Sequence, residues 1–440
     1  MKTNPNRRSF LGKMLLGSIA ASVLPKSGLS KSESSNDLNI FNLPKEITNY
    51  SEDYWKFIRQ QFPLNKRKIY LNTASLGASP RLVIDTIYDW TLKLESMGES
   101  MQSKIQDTRV KAAALIKCDV DELAITTNTT EGVNIIAQSI AFKAGDEVII
   151  TDHAHIGGAA PWLALQKAKE IKVKLIKLDE SGKHNLDIIK KVVSKKTKVV
   201  VISHVTCTTG MVLPVKEIAE FCREKGIYTC IDGAHPLGMM DIDLHDINPD
   251  FYATSGHKWL LGPKGTGFLF INKEVIKDLI PIHAGAYAGK NYNLKELIFE
   301  HNQKAQRIEL GTRSTPTAMG LGSAIDFINA IGIKNIEKRG RDLATYLKEQ
   351  LVQLPSIELL TPMEAEFSTS IVTFRIKEMD YKTAQERIQA AVIDKPIVGK
   401  KKIRVRGIHE NNLNAIRVSC TIYNNFEELD DLLTVLKGLS

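Results

Sequence analysis

The residue of this chain best placed for covalent chemistry is a lysine that precedes a glycine-rich turn. Lys258 closes the segment Ser255-Gly256-His257-Lys258, and three of the six residues at 262–267 are glycine. A predicted apolar strand precedes the segment, and α/β sheets place ligand chemistry at the carboxyl ends of their strands. A lysine amine with a depressed pKa acts there as a nucleophile and a base, and Ser255 and His257 can bond a phosphate. Taken alone the motif is weak, because a lysine before a glycine turn usually lies at the surface.

An aspartate at the end of another apolar segment supplies a partner for this lysine. Asp232 stands in Ile231-Asp232-Gly233-Ala234-His235, and a carboxylate at a buried strand end is costly unless it is paired. Pyridoxal 5'-phosphate (PLP) suits both residues, since a lysine amine holds it and a carboxylate keeps its ring nitrogen protonated, which makes the ring an electron sink. A helix N-cap is the alternative role for Asp232. Together the two residues predict a PLP site with Lys258 as the cofactor lysine.

Further polar groups follow other predicted strands. Residues 127–134 open a helix, where hydroxyls and free N–H groups cradle a phosphate or form a capping box. Asp152-His153-Ala154-His155 offers a histidine that can stack over a flat ring, although lone histidines are more often structural. The run at 203–210 contains Cys207. Arg417 lies in an apolar segment and binds either a substrate carboxylate in two-point fashion or an acidic side chain of the chain itself.

The elements that must position these residues alternate between strand and helix. Strands are predicted near 124–126, 146–151, 173–178, 198–203, 227–231, 251–255 and 266–271, and helices near 130–142, 161–170, 185–193, 214–225 and 317–330. This alternation predicts an α/β fold with a mostly parallel sheet covered on both faces by helices. A C-terminal α+β pattern follows, with helices near 335–354, 381–391 and 426–439 and strands near 370–376, 403–406 and 415–419.

The chain is predicted to have four parts, which are a signal and spacer (1–35), an N-terminal segment (36–80), a large domain (81–330) and a small C-terminal domain (331–440). Arg7 and Arg8 precede a mildly apolar run at 14–24, a pattern typical of a twin-arginine export signal. The run is too short to cross a bilayer as a stable helix. We therefore expect a periplasmic or exported protein without stable membrane insertion; a disordered basic tail is the alternative.

Composition excludes several classes of function. The 440 residues are 43% hydrophobic and carry a net charge of +9, which is ordinary for a globular protein. The densest basic group, Lys400 to Lys402 with Arg404 and Arg406, is short and is interpreted as a solvated surface. Without an aromatic-basic motif or a recognition helix, no nucleic-acid partner is expected. The five cysteines are widely spaced and form no C-x-x-C, so neither a disulfide framework nor a metal site is predicted.

Six motifs in this order, from about Tyr70 to about Asn424, resemble the class V aminotransferase superfamily of fold-type I PLP enzymes. The resemblance is strongest to the isopenicillin N epimerase-like group, which is related to cysteine desulfurases. It implies a large domain with a mostly parallel seven-stranded sheet, PLP bound to Lys258 as a Schiff base, and an amino acid or amino-acid-like substrate. It implies catalytic roles for Lys258, Asp232 and His153, with His153 preferred to His155 for stacking on the ring. Further cofactor contacts are implied for Thr129, Thr130, Cys207, His235, Ser255 and His257.

The same resemblance implies a homodimer and a substrate site. Thr312, in Gly311-Thr312-Arg313, resembles a threonine that reaches the phosphate in the neighbouring subunit. Arg417 resembles the arginine that binds the substrate carboxylate. Ala74 belongs to the matching motif Tyr-Leu-Asn-Thr-Ala-Ser-Leu-Gly and is assigned to the substrate site.

Departures from the family pattern limit which reactions are expected. Desulfurases have an asparagine where Cys207 stands and carry a nucleophilic cysteine on a C-terminal loop. Residues 393–408 contain no cysteine, and Cys420 lies after Arg417. We therefore expect Lys258 to remove an α-proton from an amino acid, with epimerisation, transamination or loss of a β-group as the outcome. A C–S lyase or a catalytically degenerate binding protein is the alternative.

Overall fold

The structure is a computed structural model that describes residues 51–280, 282–396 and 399–439. The predicted signal and spacer at 1–35 lie outside the described residues. The strands, in chain order, are β1 (Lys68–Tyr70), β2 (Leu123–Thr126), β3 (Glu147–Thr151), β4 (Lys172–Ile176), β5 (Thr197–Ser203), β6 (Tyr228–Gly233), β7 (Phe251–Thr254), β8 (Gly267–Ile271), β9 (Gly289–Asn293), β10 (Ile298–His301), β11 (Ile357–Leu359), β12 (Ile371–Ile376), β13 (Ile393–Lys395), β14 (Gly399–Arg404), β15 (Arg406–Ile408) and β16 (Ala415–Ser419).

The α-helices of the described chain are α1 (Glu52–Gln60), α2 (Arg81–Met97), α3 (Ile105–Ile116), α4 (Thr129–Ser139), α5 (Ile156–Ala168), α6 (Asn185–Val192), α7 (Val215–Glu224), α8 (Leu244–Ile247), α9 (Thr315–Ile331), α10 (Ile333–Leu351), α11 (Tyr381–Ala390) and α12 (Phe426–Lys437). Within the described ranges, no helix combines the length and the apolar composition that crossing a bilayer requires.

A seven-stranded sheet organises the larger part of the chain, in the order β2-β8-β7-β6-β5-β3-β4. The α/β fold and its mostly parallel seven-stranded sheet, predicted above, are confirmed. The exception to the parallel arrangement is β8, which runs antiparallel to both of its neighbours, β2 and β7. Strands β2, β3, β5, β6 and β7 therefore point the same way. Their carboxyl ends meet at one edge of the sheet, where α/β folds bind ligands.

The inner strands of this sheet are mostly apolar because both faces are covered, whereas the edge strand β4 carries two lysines and is partly exposed. Strands β3, β7 and β8 are buried at every residue, which is typical of strands between two helical layers. On one face, Val133 of α4 and Trp162 of α5 share an apolar cluster with Val148, Val199 and Phe251 of the sheet. Helix α7 packs against β6, and α9 packs against α2 and α3.

The C-terminal part contains a four-stranded antiparallel sheet in the order β11-β12-β16-β15. Leu343 and Leu347 of α10, Leu432 of α12, Phe374 of β12 and Val418 of β16 form its apolar core. Strand β1, from the predicted N-terminal segment, pairs in parallel with β14. The domain boundaries at residues 35, 80 and 330 stay predictions.

Two local expectations are wrong, and both corrections affect the site. The strand expected at 403–406 is two strands, because the chain leaves the β1-β14-β13 sheet at Val405 and joins β16 as β15. The helix expected to begin at Pro161 begins at Ile156, with His155 as its N-cap. Proline favours the first turn of a helix, but here it lies inside α5.

Candidate active site

A cavity of about 440 Å³ opens at the carboxyl edge of the seven-stranded sheet. Its walls come from two regions of the chain. The strand-end wall consists of residues that lie at or after the carboxyl ends of strands of the large sheet, namely Asn128, Thr129, Thr130, His155, Gly158, Cys207, Asp232, Ala234, His235, Ser255, His257 and Lys258. The arginine wall consists of Ala74, Ser75, Arg406 and Arg417.

Lys258 lies in the turn that follows β7. The Gly256 N–H donates to the Thr266 carbonyl at 2.8 Å, and the Gly262 N–H donates to the Gly256 carbonyl at 2.8 Å, which closes the turn. A Cβ at Gly77 would overlap the Lys258 carbonyl oxygen, so the facing backbone must be glycine. Burial lowers the pKa of Lys258 to about 8, although the negative charge of Asp232 opposes the shift. The amine is therefore partly neutral near physiological pH.

Asp232 lies near the end of β6 and is buried. Its Oδ1 accepts a hydrogen bond from the Ala234 N–H at 3.0 Å. A Cβ at Gly158 would lie 3.0 Å from its Oδ2, so a glycine keeps space beside the carboxylate. The ion pairs formed among the described residues do not include Asp232. A buried carboxylate without a cation is costly, and a protonated ring nitrogen would relieve that cost.

The structure brings His155 to the cavity and leaves His153 outside its wall. Nδ1 of His155 accepts from the Gly157 N–H at 3.0 Å as the cap of α5. His153 is buried, with Nδ1 2.6 Å from Thr208 Oγ1 and Nε2 3.3 Å from Asn411 Nδ2. From the sequence His153 is preferred for ring stacking. Because the helix begins at Ile156 rather than at Pro161, the cap residue His155 occupies the wall instead.

His235 lines the cavity with one ring nitrogen unpartnered among the described residues. Its Nδ1 accepts from the Trp259 Nε1–H at 3.1 Å, and its buried Nε2 has no partner in the described chain. Burial, and then the positive charge of Lys258, lower the pKa of His235 well below its usual value. A neutral imidazole that accepts at Nδ1 carries its proton at Nε2, so His235 presents a donor suited to a phenolic oxygen.

The phosphate candidates gather where two helices begin. Thr129 Oγ1 lies 2.7 Å from Ser255 Oγ at the start of α4. A Cβ at Gly157 would overlap Thr130 Oγ1, so the first turns of α4 and α5 meet at this point. Helix N-termini attract anions through their free N–H groups and dipole. Nδ1 of His257 is buried without a partner in the described chain.

Arg417 is a fully buried cation on the arginine wall. Its Nη1 donates to the Cys207 carbonyl at 2.6 Å and its Nη2 to Ser75 Oγ at 2.8 Å, while Nε has no partner among the described residues. Burial, and then the positive charge of Arg406, lower the pKa of Arg417 to about 10. The Ala74 N–H donates to Ser419 Oγ at 3.1 Å, which ties this backbone to β16.

Several wall residues are missed by sequence reasoning. Arg406 is interpreted there as part of a solvated basic surface, yet the residue lines the cavity and its guanidinium pairs with Glu410. Asn128, Ser75 and Gly158 are also on the walls. Neighbouring motifs could have indicated these three residues, whereas Arg406 depends on the pairing of β15 with β16. Thr312 is exposed and does not line this cavity.

The residues present fit PLP. One cavity combines a lysine amine of lowered pKa, a carboxylate without a cation, a donor at His235 Nε2 and an anion cradle at the starts of α4 and α5. Cys207 is the cysteine on these walls, and burial raises the pKa of its thiol. A neutral thiol is a poor nucleophile.

Comparisons with known proteins agree with this chemistry. The sequence profile described as "Aminotransferase class-V" matches residues 70–432. A "Probable cysteine desulfurase" of Pyrococcus abyssi (strain GE5 / Orsay) is 29% identical over 402 residues, covering 87% of this chain and 96% of that protein. An "Isopenicillin N epimerase" of Streptomyces clavuligerus is 29% identical over 399 residues, covering 88% and 98%.

Solved structures share the fold. An apo cysteine desulfurase from Thermococcus onnurineus NA1 superposes with a TM-score of 0.78 at 25% identity, covering 89% of this chain and 98% of that chain. A C-DES variant with glycine covalently linked to its PLP cofactor gives a TM-score of 0.78 at 24% identity, covering 86% and 98%.

Proposed function

The chain belongs to the class V aminotransferase family and is a PLP-dependent enzyme that acts on an amino acid or amino-acid-like substrate; from that premise we propose how its residues divide the work. One observation carries the proposal. A buried lysine of lowered pKa shares a cavity with a buried arginine and with a carboxylate that forms no ion pair among the described residues. Lys258 is the cofactor lysine, Asp232 the partner of the ring nitrogen, and Arg417 the anchor of the substrate carboxylate.

The remaining strand-end residues hold the cofactor. Thr129, Thr130, Ser255 and His257 receive its phosphate at the start of α4. His235 would donate from Nε2 to the phenolic oxygen. His155, rather than His153, would pack on the ring, since it is the histidine of that segment on the wall.

When bound, PLP supplies an electron sink for the pair released when a bond at the substrate Cα breaks. Lys258 moves the proton at that carbon. With a pKa of about 8 its amine exchanges protons near neutral pH, where a general base or acid is most effective. Such assistance is worth about 10²–10⁴ in rate. Arg417 orients the substrate by its carboxylate, so that the α-proton faces Lys258.

We propose epimerisation at Cα, as the name of the Streptomyces clavuligerus relative suggests. Persulfide chemistry lacks support, because the cysteine on the cavity walls is the buried Cys207, whose pKa is raised by burial. Transamination or β-elimination would begin with the same proton removal by Lys258 and would differ in the product.

Exchange of the α-proton in deuterium oxide tests the proposal. Protein loaded with PLP is incubated with L- and D-amino acids, and loss of the Cα–H signal is followed by NMR. We expect exchange with at least one amino acid, accompanied by appearance of its mirror image without any added keto acid. Lys258→Ala lowers the rate by at least about a hundredfold, whereas the exposed control Lys195→Ala does not. If the protein binds PLP but catalyses no exchange, the proposal is wrong and the chain is a catalytically degenerate binding protein.

We also propose that the enzyme is a homodimer. Val83 is the buried residue of α2, whereas Ile84, Tyr88 and Leu92 on the same helix are exposed. An exposed apolar face of this kind favours association. Thr312 does not line the cavity of its own subunit. In a dimer it would reach the phosphate of the PLP bound in the neighbouring subunit. Light scattering at micromolar concentration should give about twice the chain mass, and the chain mass itself would contradict the proposal.

Export by the twin-arginine route remains a proposal based on Arg7, Arg8 and the apolar run that follows. This route carries folded proteins, which suits an enzyme that acquires its cofactor in the cytoplasm. Cell fractionation should find the protein in the periplasm, and replacing both arginines by lysine should retain it in the cytoplasm. An unchanged distribution would contradict export by this route.

A further inference from the structure

Two arginines of the cavity face each other across a pair of strands. In the antiparallel register of β15 and β16, Arg406 lies directly opposite Arg417. Side chains so placed share one face of the sheet, with Cβ atoms about 4.5–5.5 Å apart. Both arginines line the cavity. Like charges directly opposite each other destabilise a sheet, so this arrangement calls for negative charge nearby.

The described chain supplies less negative charge than the two arginines carry. Glu410 pairs with Arg406. Arg417 donates to the Cys207 carbonyl and to Ser75 Oγ, both uncharged, and its Nε has no partner in the described chain. Among the described residues that line the cavity, the carboxylate is that of Asp232, which belongs to the strand-end wall. Among the described residues, Glu410 is therefore the one carboxylate that balances the positive charges of Arg406 and Arg417.

We propose that the substrate is an acidic amino acid, whose α-carboxylate binds Arg417 and whose side-chain acid binds Arg406. The inference rests on the proposed function for the role of Arg417. Among the described residues, the hydrogen-bond partner of Arg406 is Glu410 through Nη2. The planar fork keeps further N–H donors for an acceptor in the cavity, and a carboxylate matches that fork.

The turn that carries Glu410 is held in place from the strand-end side. Asn411, in a left-handed conformation with φ 53°, donates from Nδ2 to Asp152 Oδ2 at 3.2 Å and lies 3.3 Å from His153 Nε2. His153 therefore anchors the turn that positions Glu410. Glu410 in turn fixes the direction of the Arg406 side chain.

The experiment compares acids with their amides of nearly equal shape. The visible absorbance of the PLP-loaded protein is titrated with glutamate and glutamine, and with aspartate and asparagine, in both enantiomers at constant ionic strength. We expect an acid to bind at least about tenfold more tightly than its amide, about 1.4 kcal/mol. Arg406→Gln should remove this preference, with a loss of affinity at least about tenfold larger for glutamate than for alanine, and Arg406→Lys should keep part of the preference. Lys402→Gln, which removes an exposed charge from β14, is the matched control and should behave as the unsubstituted protein.

A second measurement needs no cofactor chemistry. Glutarate has two carboxylates and no amine, and we expect it to raise the unfolding temperature more than its monoamide does, through Arg406. Equal affinity for acids and amides would overturn the inference. It would also be overturned if Arg406→Gln lowered the affinity for alanine as much as the affinity for glutamate. A protein without visible absorbance after loading would overturn the proposed function, while the glutarate comparison would still test the arginine pair.

Discussion

The two walls of the cavity hold ionisable groups of opposite character. On the strand-end wall, burial is the largest cause that lowers the pKa of His155, His235, His257 and Lys258. These groups are neutral or close to titration at neutral pH. On the arginine wall, the pKa of Arg417 stays at about 10 even when it is buried, so its charge persists. A group that titrates can move a proton, whereas a group with a fixed charge can only bind.

Burial affects the two walls differently because lysine and histidine can lose their proton, whereas arginine cannot. A lysine or histidine avoids the cost of a buried charge by losing its proton. A guanidinium keeps its proton, so its burial is tolerated only with hydrogen bonds and a nearby anion. The strand-end wall thus suits the cofactor and proton movement, and the arginine wall suits the substrate's acidic groups. The predictions below test whether this division holds.

The largest effect is expected at Asp232. Asp232→Asn keeps the shape and removes the charge that stabilises a protonated ring nitrogen. We expect α-proton exchange to slow by about a hundredfold, or about 2.7 kcal/mol of activation free energy, with only a small change in substrate affinity. The rate is measured by NMR at saturating substrate. An unchanged rate would show that Asp232 does not assist α-proton exchange.

At Arg417 the expected effect is on substrate affinity rather than on the rate of proton exchange. Arg417→Lys keeps a cation but loses the planar fork that binds a carboxylate at two points. We expect KM to rise by about tenfold or more, with the visible absorbance of bound PLP unchanged. Steady-state kinetics and a spectrum of the same sample check this. A variant that loses the cofactor band while keeping its KM would contradict the division between the walls.

The pH dependence of cofactor capture distinguishes a buried lysine from an ordinary one. The neutral amine is the nucleophile, so the rate of PLP capture by the cofactor-free protein rises as Lys258 loses its proton. With a pKa of about 8, we expect the rate to fall about tenfold per pH unit below pH 8 and to level off above it. Stopped-flow absorbance measures this rate, and a midpoint near 10 would show an unperturbed lysine.

The smallest effect compares the two histidines of one segment. We expect His155→Ala to weaken PLP binding by about fivefold, since ring contacts are worth about 1 kcal/mol. His153→Ala should leave PLP affinity unchanged and reduce the preference for acidic substrates, because His153 anchors the turn at 409–412. Equilibrium titration with PLP checks the first expectation. The reverse ranking would return the stacking role to His153.

The two walls also differ in how far the sequence reveals them. Asp232, Ser255 and Lys258 each follow an apolar strand within a few residues, and strand ends of a parallel sheet converge by geometry. Their meeting at one edge could therefore be predicted from local patterns. The seven strands of the sheet were predictable for the same reason, since each is a short apolar run bounded by turn residues.

The arginine wall depends on information that local patterns lack. Arg406 reaches the cavity because the chain changes sheets at Val405, and it opposes Arg417 because of the register between β15 and β16. In sequence it follows a run of lysines, of which Lys400 and Lys402 are exposed, so the local composition predicts a solvated surface. The choice between His153 and His155 depends in a similar way on where α5 begins, which local patterns place at Pro161 and the structure at Ile156.

The most direct test of the central claim is to locate PLP on the chain. Protein loaded with PLP is reduced with borohydride, digested and analysed by mass spectrometry, beside a spectrum of Lys258→Ala loaded in the same way. We predict that the added mass lies on the peptide containing Lys258 and that the variant lacks the visible band. A label on another lysine such as Lys264, or an unchanged band in Lys258→Ala, would contradict the assignment of Lys258.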